Sequence, residues 1–297
     1  MSVRPSTYIS PVYLHPGAEI EVLLADSPDS VSATVLRHMP FSIYQVIVCQ
    51  LTSKTRSQAC HLQPGARFIL KIFDPRYIPR FCVDAPQWSY GSEKEAYPRH
   101  QGQLTKWCFG PRPQSAGVDN WEEFYFLKCK TSQMCEVECY RHLAPLQGSA
   151  VPFFYGYGKL DLSAIDPTRS VHPPVILIEL IENAAQLNEV DARVLDPTLV
   201  ESFVGAVARM GPELGVTNND LNPGNYLFSP MHKPDRILLI DWSHAGIREP
   251  QDTEEEWEDN LKNNGALRWT KQVLAEKFLH AGLPVPPSCA DWKVIWV

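Results

Sequence analysis

The residues best suited to chemistry are two carboxylates and a carboxamide: Asp220, Asn225 and Asp241. They lie in the runs Asn218-Asn219-Asp220-Leu221-Asn222-Pro223-Gly224-Asn225-Tyr226-Leu227-Phe228 and Ile237-Leu238-Leu239-Ile240-Asp241-Trp242-Ser243. The Asn follows the first Asp by five positions, and the second Asp ends an apolar run sixteen positions further on. Phosphoryl transfer uses such a set. One carboxylate accepts or orients the proton of the attacking hydroxyl. The hard oxygens of the amide and the second carboxylate hold Mg²⁺ against the phosphates. The runs 226–228 and 237–240 predict a hairpin that brings Asn225 and Asp241 together. The 220–225 residue types also suit a plain turn, but a plain turn leaves Asp241 in register unexplained.

Several elements must position this set. Residues 19–24, 31–36, 44–49 and 67–73 are rich in branched and aromatic residues with turn signals between them, which predicts an antiparallel sheet. Residues 74–118 carry Pro75, Pro79, Pro86, Pro98, Pro111 and Pro113 and read as a long irregular insertion, with Trp88, Trp107 and Trp121 expected to anchor it. Asn120, with Glu123 three residues on, predicts a helix start. That helix runs to about Leu146, before Gly148 and Pro152. The apolar run 175–181 reads as a buried strand. Leu199, Phe203, Val207 and Met210 recur at helical spacing up to Gly211-Pro212, and further helices are expected near 252–259 and 266–280.

Composition bounds the class. The chain has 297 residues, 44% hydrophobic and 21% charged, as in an ordinary globular protein. Its net charge of -7 and pI of about 5.7 argue against a nucleic-acid or anionic-membrane partner. No signal-peptide pattern or apolar run of roughly 20 residues is present, so a soluble cytoplasmic protein is expected. The eight cysteines include no CxxC pair. Cys135 and Cys139, one helical turn apart, read as small buried thiols rather than a metal pair.

The Asp220–Asn225 and Asp241-Trp242 segments resemble the catalytic loop and metal motif of the protein-kinase superfamily, including its aminoglycoside and choline kinase-like branch. Phe68-Ile69-Leu70-Lys71 resembles the strand that carries the ATP-binding lysine, and the run continuing through Tyr77 is similar to a fungal group of kinase-like proteins. Glu136-Val137-Glu138-Cys139-Tyr140-Arg141-His142-Leu143 looks like the helix that supplies the lysine's partner. Glu136, Tyr140 and Leu143 share one face at i, i+4, i+7, which favours Glu136 over Glu138. The resemblance covers roughly residues 19–245. It implies an α+β, two-lobed protein-kinase-like fold, with an antiparallel β N-lobe over about 18–181 and a truncated α-helical C-lobe over about 182–297. It implies ATP and Mg²⁺ as cofactors. Lys71 would contact the α/β-phosphates, with Glu136 holding it. Asp220 would be the base, Asn225 and Asp241 would bind the metal, and the run from Glu179 through Ile181 to Asn183 would meet adenine. Without the resemblance, Lys71 reads as a snorkelling strand lysine and Glu136 as a solvated helix residue.

The chain departs from that pattern at four places. The first β-turn reads Ala25-Asp26-Ser27-Pro28-Asp29-Ser30, with no glycine to let backbone approach phosphate. Asn218 stands where the family has histidine or tyrosine. Ser243 stands where the protein-kinase form has glycine. Only 56 residues follow Asp241, with no Ala-Pro-Glu motif. Two functions compete on this basis: a phosphotransferase acting on a hydroxyl of a small molecule or a protein, and a catalytically impaired pseudokinase acting as a binding or scaffold module. A Cys- or Ser-based hydrolase has no motif here, since neither GxSxG nor HExxH occurs.

Overall fold

In the computed structural model, residues 14–39, 44–52, 62–78, 80, 87–100 and 118–292 are described. The expectations for Pro79, Pro86, Trp107, Pro111 and Pro113 lie outside them. The chain divides into two compact units. One takes in Met1–Met134 and Phe154–Leu180, the other Cys135–Phe153 and Ile181–Val297.

The first unit is built on six strands: β1 Glu19–Leu24, β2 Ser30–His38, β3 Gln45–Leu51, β4 Arg67–Ile72, β5 Phe154–Asp161 and β6 Pro174–Glu179. Alternating residues of β1 and β2 point inward, with Ile20, Val22, Val31, Ala33 and Val35 buried. They meet Ile47, Phe68, Leu70 and Leu177 in one apolar core. The strands pair in the order β1-β2-β3-β4-β6-β5, and β5 also pairs with β1.

That last pairing overturns the fold expected from sequence. A two-lobed protein-kinase-like arrangement requires an open antiparallel N-terminal sheet, whereas this antiparallel sheet is closed into a six-stranded barrel. Closure comes from β5, which the sequence does not announce. Its sequence, Phe-Tyr-Gly-Tyr-Gly-Lys-Leu-Asp, has no clear alternation and two glycines, a residue depleted in strands. The glycines are what permit it. A Cβ on Gly158 would stand 2.0 Å from the Leu23 carbonyl oxygen of β1. Gly156, at φ 149°, sits where the β5–β6 register shifts.

The insertion is not wholly irregular, since it contains α1, Tyr90–Ala96, capped by the Ser89 hydroxyl accepting from the Ser92 amide. A buried charge network ties α1 to the strand ends. Arg169 Nε donates to Glu93 at 2.7 Å, and Arg169 reaches Asp74, which Arg76 also binds at 2.8 Å. Trp88 Nε1 donates to Glu93 at 3.0 Å. Burial holds the Asp74 carboxyl above its usual range, and Arg169 and the Arg76 amide pull it back.

Helix α2, Val118–His142, starts two residues before the expected Asn120 cap and stops short of Leu146. In the second unit, α3 (Pro197–Met210) carries the residues expected at helical spacing, and it opens with Asp196 capping the Thr198 amide and Pro197 in the first position. It buries Val200, Phe203, Val204, Val207 and Met210. Short strands β7 (Ala185–Gln186) and β8 (Val216–Thr217) flank it. The hairpin β9–β10 (Tyr226–Ser229, Arg236–Leu239) and β11 (Gly246–Ile247) follow. α4 (Glu254–Asn264) carries a Thr253/Glu256 capping box, and Gly265 at φ 49° separates it from α5 (Ala266–His280). No described helix is long and apolar enough to cross a membrane.

Candidate functional site

The site lies in the second unit, where two loops are pinned at both ends. At one end β9 pairs with β10 from Ser229–Arg236 to Tyr226–Leu239, as the apolar runs predict. At the other, Thr217 and Val216 of β8 pair with Gly246 and Ile247 of β11. Between these ladders run residues 218–225 and 240–245, so two stretches distant in sequence are held side by side.

Within the first loop, short-range hydrogen bonds hold Asn218, Asp220, Asn222 and Asn225. The Asp220 amide donates to Asn218 Oδ1 at 2.8 Å, and the Gly224 amide to Asn222 Oδ1 at 2.9 Å. These are the Asx turns such residues favour. Asn222 Nδ2 reaches Asp220 Oδ1 at 3.3 Å. Asn225 Nδ2 donates to the Asp220 carbonyl at 2.7 Å, and the Ile240 amide donates to the Asn225 carbonyl at 2.9 Å. Asn225 is buried and Asp220 half-buried.

The second loop turns sharply at Asp241. Its φ is 62°, the left-handed region, and only one other described non-glycine residue, Asn183, shares a positive φ. Such a conformation costs an L-residue roughly 1–2 kcal/mol, less for Asp or Asn. Neighbours hold it there. Ser243 Oγ donates to Asp241 Oδ1 at 2.7 Å, and Asn218 Nδ2 donates to the Asp241 carbonyl at 3.2 Å. Trp242 is fully buried. The Cys135 thiol of α2 donates to the Trp242 and Ala245 carbonyls at 3.5 and 3.4 Å. Cys135 and Cys139 are thus buried free thiols, as expected.

The donor set fits Mg²⁺. Hard oxygens suit it, and it characteristically takes one or two carboxylates and completes its shell with phosphates and water. Asn225 commits its NH₂ group to the Asp220 carbonyl, and its amide oxygen is the end whose chemistry would suit a cation. An all-protein cage is not what these residues build. Among the described residues no group of three His, Cys, Asp or Glu side chains could hold an ion.

The other predicted residues divide between the units. Lys71 lies on β4 in the first unit, 4% exposed, with its Nζ 5.3 and 5.4 Å from the ring centroids of Tyr44 and Phe73. The Tyr44 hydroxyl donates to Ser132 at 2.7 Å. Glu179, half-buried, ends β6 in that unit. Glu136 belongs to the second unit. It is buried with Tyr140 and Leu143, while Glu138 pairs with Arg141 at 3.1 Å on the half-exposed side. Ile181 is half-buried in a connection held by the β9–β10 turn. Ser229 Oγ donates to the Glu182 carbonyl at 2.9 Å, and the Met231 amide to that of Asn183 at 2.7 Å.

Sequence reasoning treated Asn218 as a departure and missed its double hydrogen bond. The signal was present as Asn-x-Asp, an Asx-turn pattern. The Asp74–Arg169–Glu93 network had no such signal, because its partners lie 76 and 95 residues apart. No protein-family model matches the chain, and no curated protein matches it in sequence.

Proposed function

We propose that the chain is an ATP- and Mg²⁺-dependent phosphotransferase that moves a γ-phosphate to a hydroxyl of a small molecule or a protein, with Asp220, Asn225 and Asp241 as its reacting set. The observation that carries this reading is Asp241. Its half-buried carboxylate sits on a left-handed backbone, bonded to Ser243 and tied through Asn218 to the loop of Asp220 and Asn225. Polar residues held in sparsely populated conformations by several contacts cluster at functional sites. The resemblance of both loops to kinase motifs supplies the chemistry.

Bound Mg²⁺ would neutralise charge on the transferring phosphate. Asn225 Oδ1 and the Asp241 carboxylate would hold it, and Asp220 would orient the acceptor hydroxyl and take its proton. Orientation and charge neutralisation would supply most of the rate. The motif resemblance assigns Lys71 to the nucleotide phosphates, Glu136 to Lys71, and Glu179 and Ile181 to the base.

One observation favours a second reading, a catalytically impaired pseudokinase acting as a binding or scaffold module. The β1–β2 turn carries Asp26 and Asp29 and no glycine, and Tyr157 ties Asp26 down with a 3.0 Å hydrogen bond. Thermal unfolding of the whole chain with millimolar Mg-ATP separates the outcomes. A ligand that binds only the folded state raises Tm, by about 2.7 kcal/mol of stabilisation at a hundred times Kd. A Mg²⁺-dependent rise that Asp241→Ala and Lys71→Ala both abolish is the expected result. The same rise without ADP release toward any tested hydroxyl acceptor selects the second reading. No rise in the wild type rules out the phosphotransferase reading and leaves a binding or scaffold module that takes no nucleotide.

A further inference from the structure

We propose that Asn218 is the positioning residue that sets the candidate cation ligand Asp241 against the candidate base Asp220. This rests on the phosphotransferase reading above. Asn218 follows β8 directly and is 1% exposed. Its carboxamide is used at both ends: Oδ1 accepts the Asp220 amide at 2.8 Å, and Nδ2 donates to the Asp241 carbonyl at 3.2 Å. One planar group therefore links the two loops immediately beside both carboxylate-bearing residues.

The chemistry of that link is specific. The group must accept on one side and donate on the other, and among short side chains a carboxamide does both from fixed positions. An aspartate would keep the cap on the Asp220 amide but turn an acceptor oxygen toward the Asp241 carbonyl. A serine would be too short to span both. The Asp241 carbonyl is the atom that matters, because its direction sets the peptide plane after a left-handed residue. Ser243 fixes the side chain of the same residue through Oδ1. Asn218 holds the backbone and Ser243 the carboxylate, so the cation ligand is oriented before any cation arrives. Orientation of this kind raises affinity by removing the cost of ordering on binding.

The consequence is selective. Loss of the Asn218 donor weakens cation binding and leaves metal-free nucleotide binding unchanged. Mn²⁺ serves as the probe, with free ion counted by its electron paramagnetic resonance signal in the presence of ADP. Metal-free ADP affinity is measured in parallel by calorimetry in EDTA, on the full chain. Asn218→Asp and Asn218→Ser are each expected to weaken Mn²⁺ binding at least tenfold, with metal-free ADP affinity within twofold of wild type and a cooperative thermal transition retained. Equal Mn²⁺ affinity in wild type and both variants overturns the proposal. So does a parallel loss of both affinities, or loss of the folding transition in both variants, since each makes Asn218 a residue of the fold alone. A wild type that binds no Mn²⁺ with ADP overturns the phosphotransferase reading itself, and that result needs no variant.

Discussion

Asp241 carries a conflict between backbone and side chain. Its left-handed φ of 62° suits glycine, yet a carboxylate stands there. Replacing it separates the two demands. Asp241→Ala and Asp241→Gly remove the same carboxylate and the same bond to Ser243, but only alanine keeps a Cβ in the left-handed region. The glycine variant is expected to be more stable than the alanine variant by about 1 kcal/mol, read from urea midpoints at equal slope. Both should fail to show a Mg-ATP thermal shift. Equal stability would mean that the turn relaxes and that the strain is not held by its neighbours. Much of this site is legible in the sequence. The apolar runs 226–228 and 237–240 predict the hairpin that sets the loops of the candidate Asp, Asn and Asp side by side, because hairpin register follows from such runs. The conformation of Asp241 is not legible. It is set by Asn218 and Ser243 and by the Cys135 thiol, which lies more than a hundred positions away in the chain.

At the scale of elements, glycine closes the barrel. Gly158 pairs with Leu24, so close to β1 that an added Cβ would meet the Leu23 carbonyl oxygen at 2.0 Å, against backbone that cannot swing aside. Gly158→Ala is expected to destabilise by roughly 1–3 kcal/mol, the range for overpacking that shifts backbone. Gly205 provides the contrast. It lies in α3 with nothing within 4 Å of its added Cβ. Gly205→Ala should stabilise by about 0.5–1 kcal/mol, as helix propensity dictates. Urea unfolding of the two variants checks both signs, and a neutral Gly158→Ala would show that β5 does not hold β1 at this distance. The same strand shows why the fold was only partly legible. β1 to β4 and β6 announce themselves through alternation or continuous apolar runs. β5 does not, because the glycines that allow close approach also erase the strand signal. Without β5 the sheet reads as open, and closure could not be foreseen.

At the scale of the whole molecule, the division of the chain is discontinuous. Residues 135–153 belong with the unit that otherwise begins at Ile181. Their contacts with it are specific. The Ala150 carbonyl accepts the Leu239 amide at 2.8 Å, Arg236 donates to the Gly148 carbonyl at 3.3 Å, and His142 Nδ1 lies 2.9 Å from the Leu214 carbonyl. The segment also contributes Val137, Tyr140, Leu143, Leu146 and Val151, all buried. At roughly 1.5–3 kcal/mol for each such side chain, their removal takes about 10 kcal/mol. That equals the whole stability of an ordinary domain, about 5–15 kcal/mol. A fragment of residues 181–297 is therefore expected to lack a cooperative thermal transition. Joining 135–153 to it through a flexible Gly/Ser linker as long as residues 154–180 should restore one, followed by circular dichroism. Restoration would also place the Asp220–Asn225–Asp241 set in a folded fragment free of the barrel, where Mn²⁺ binding can be measured on that unit alone. A cooperative transition in 181–297 by itself would show that the 135–153 segment rests on a unit already folded without it.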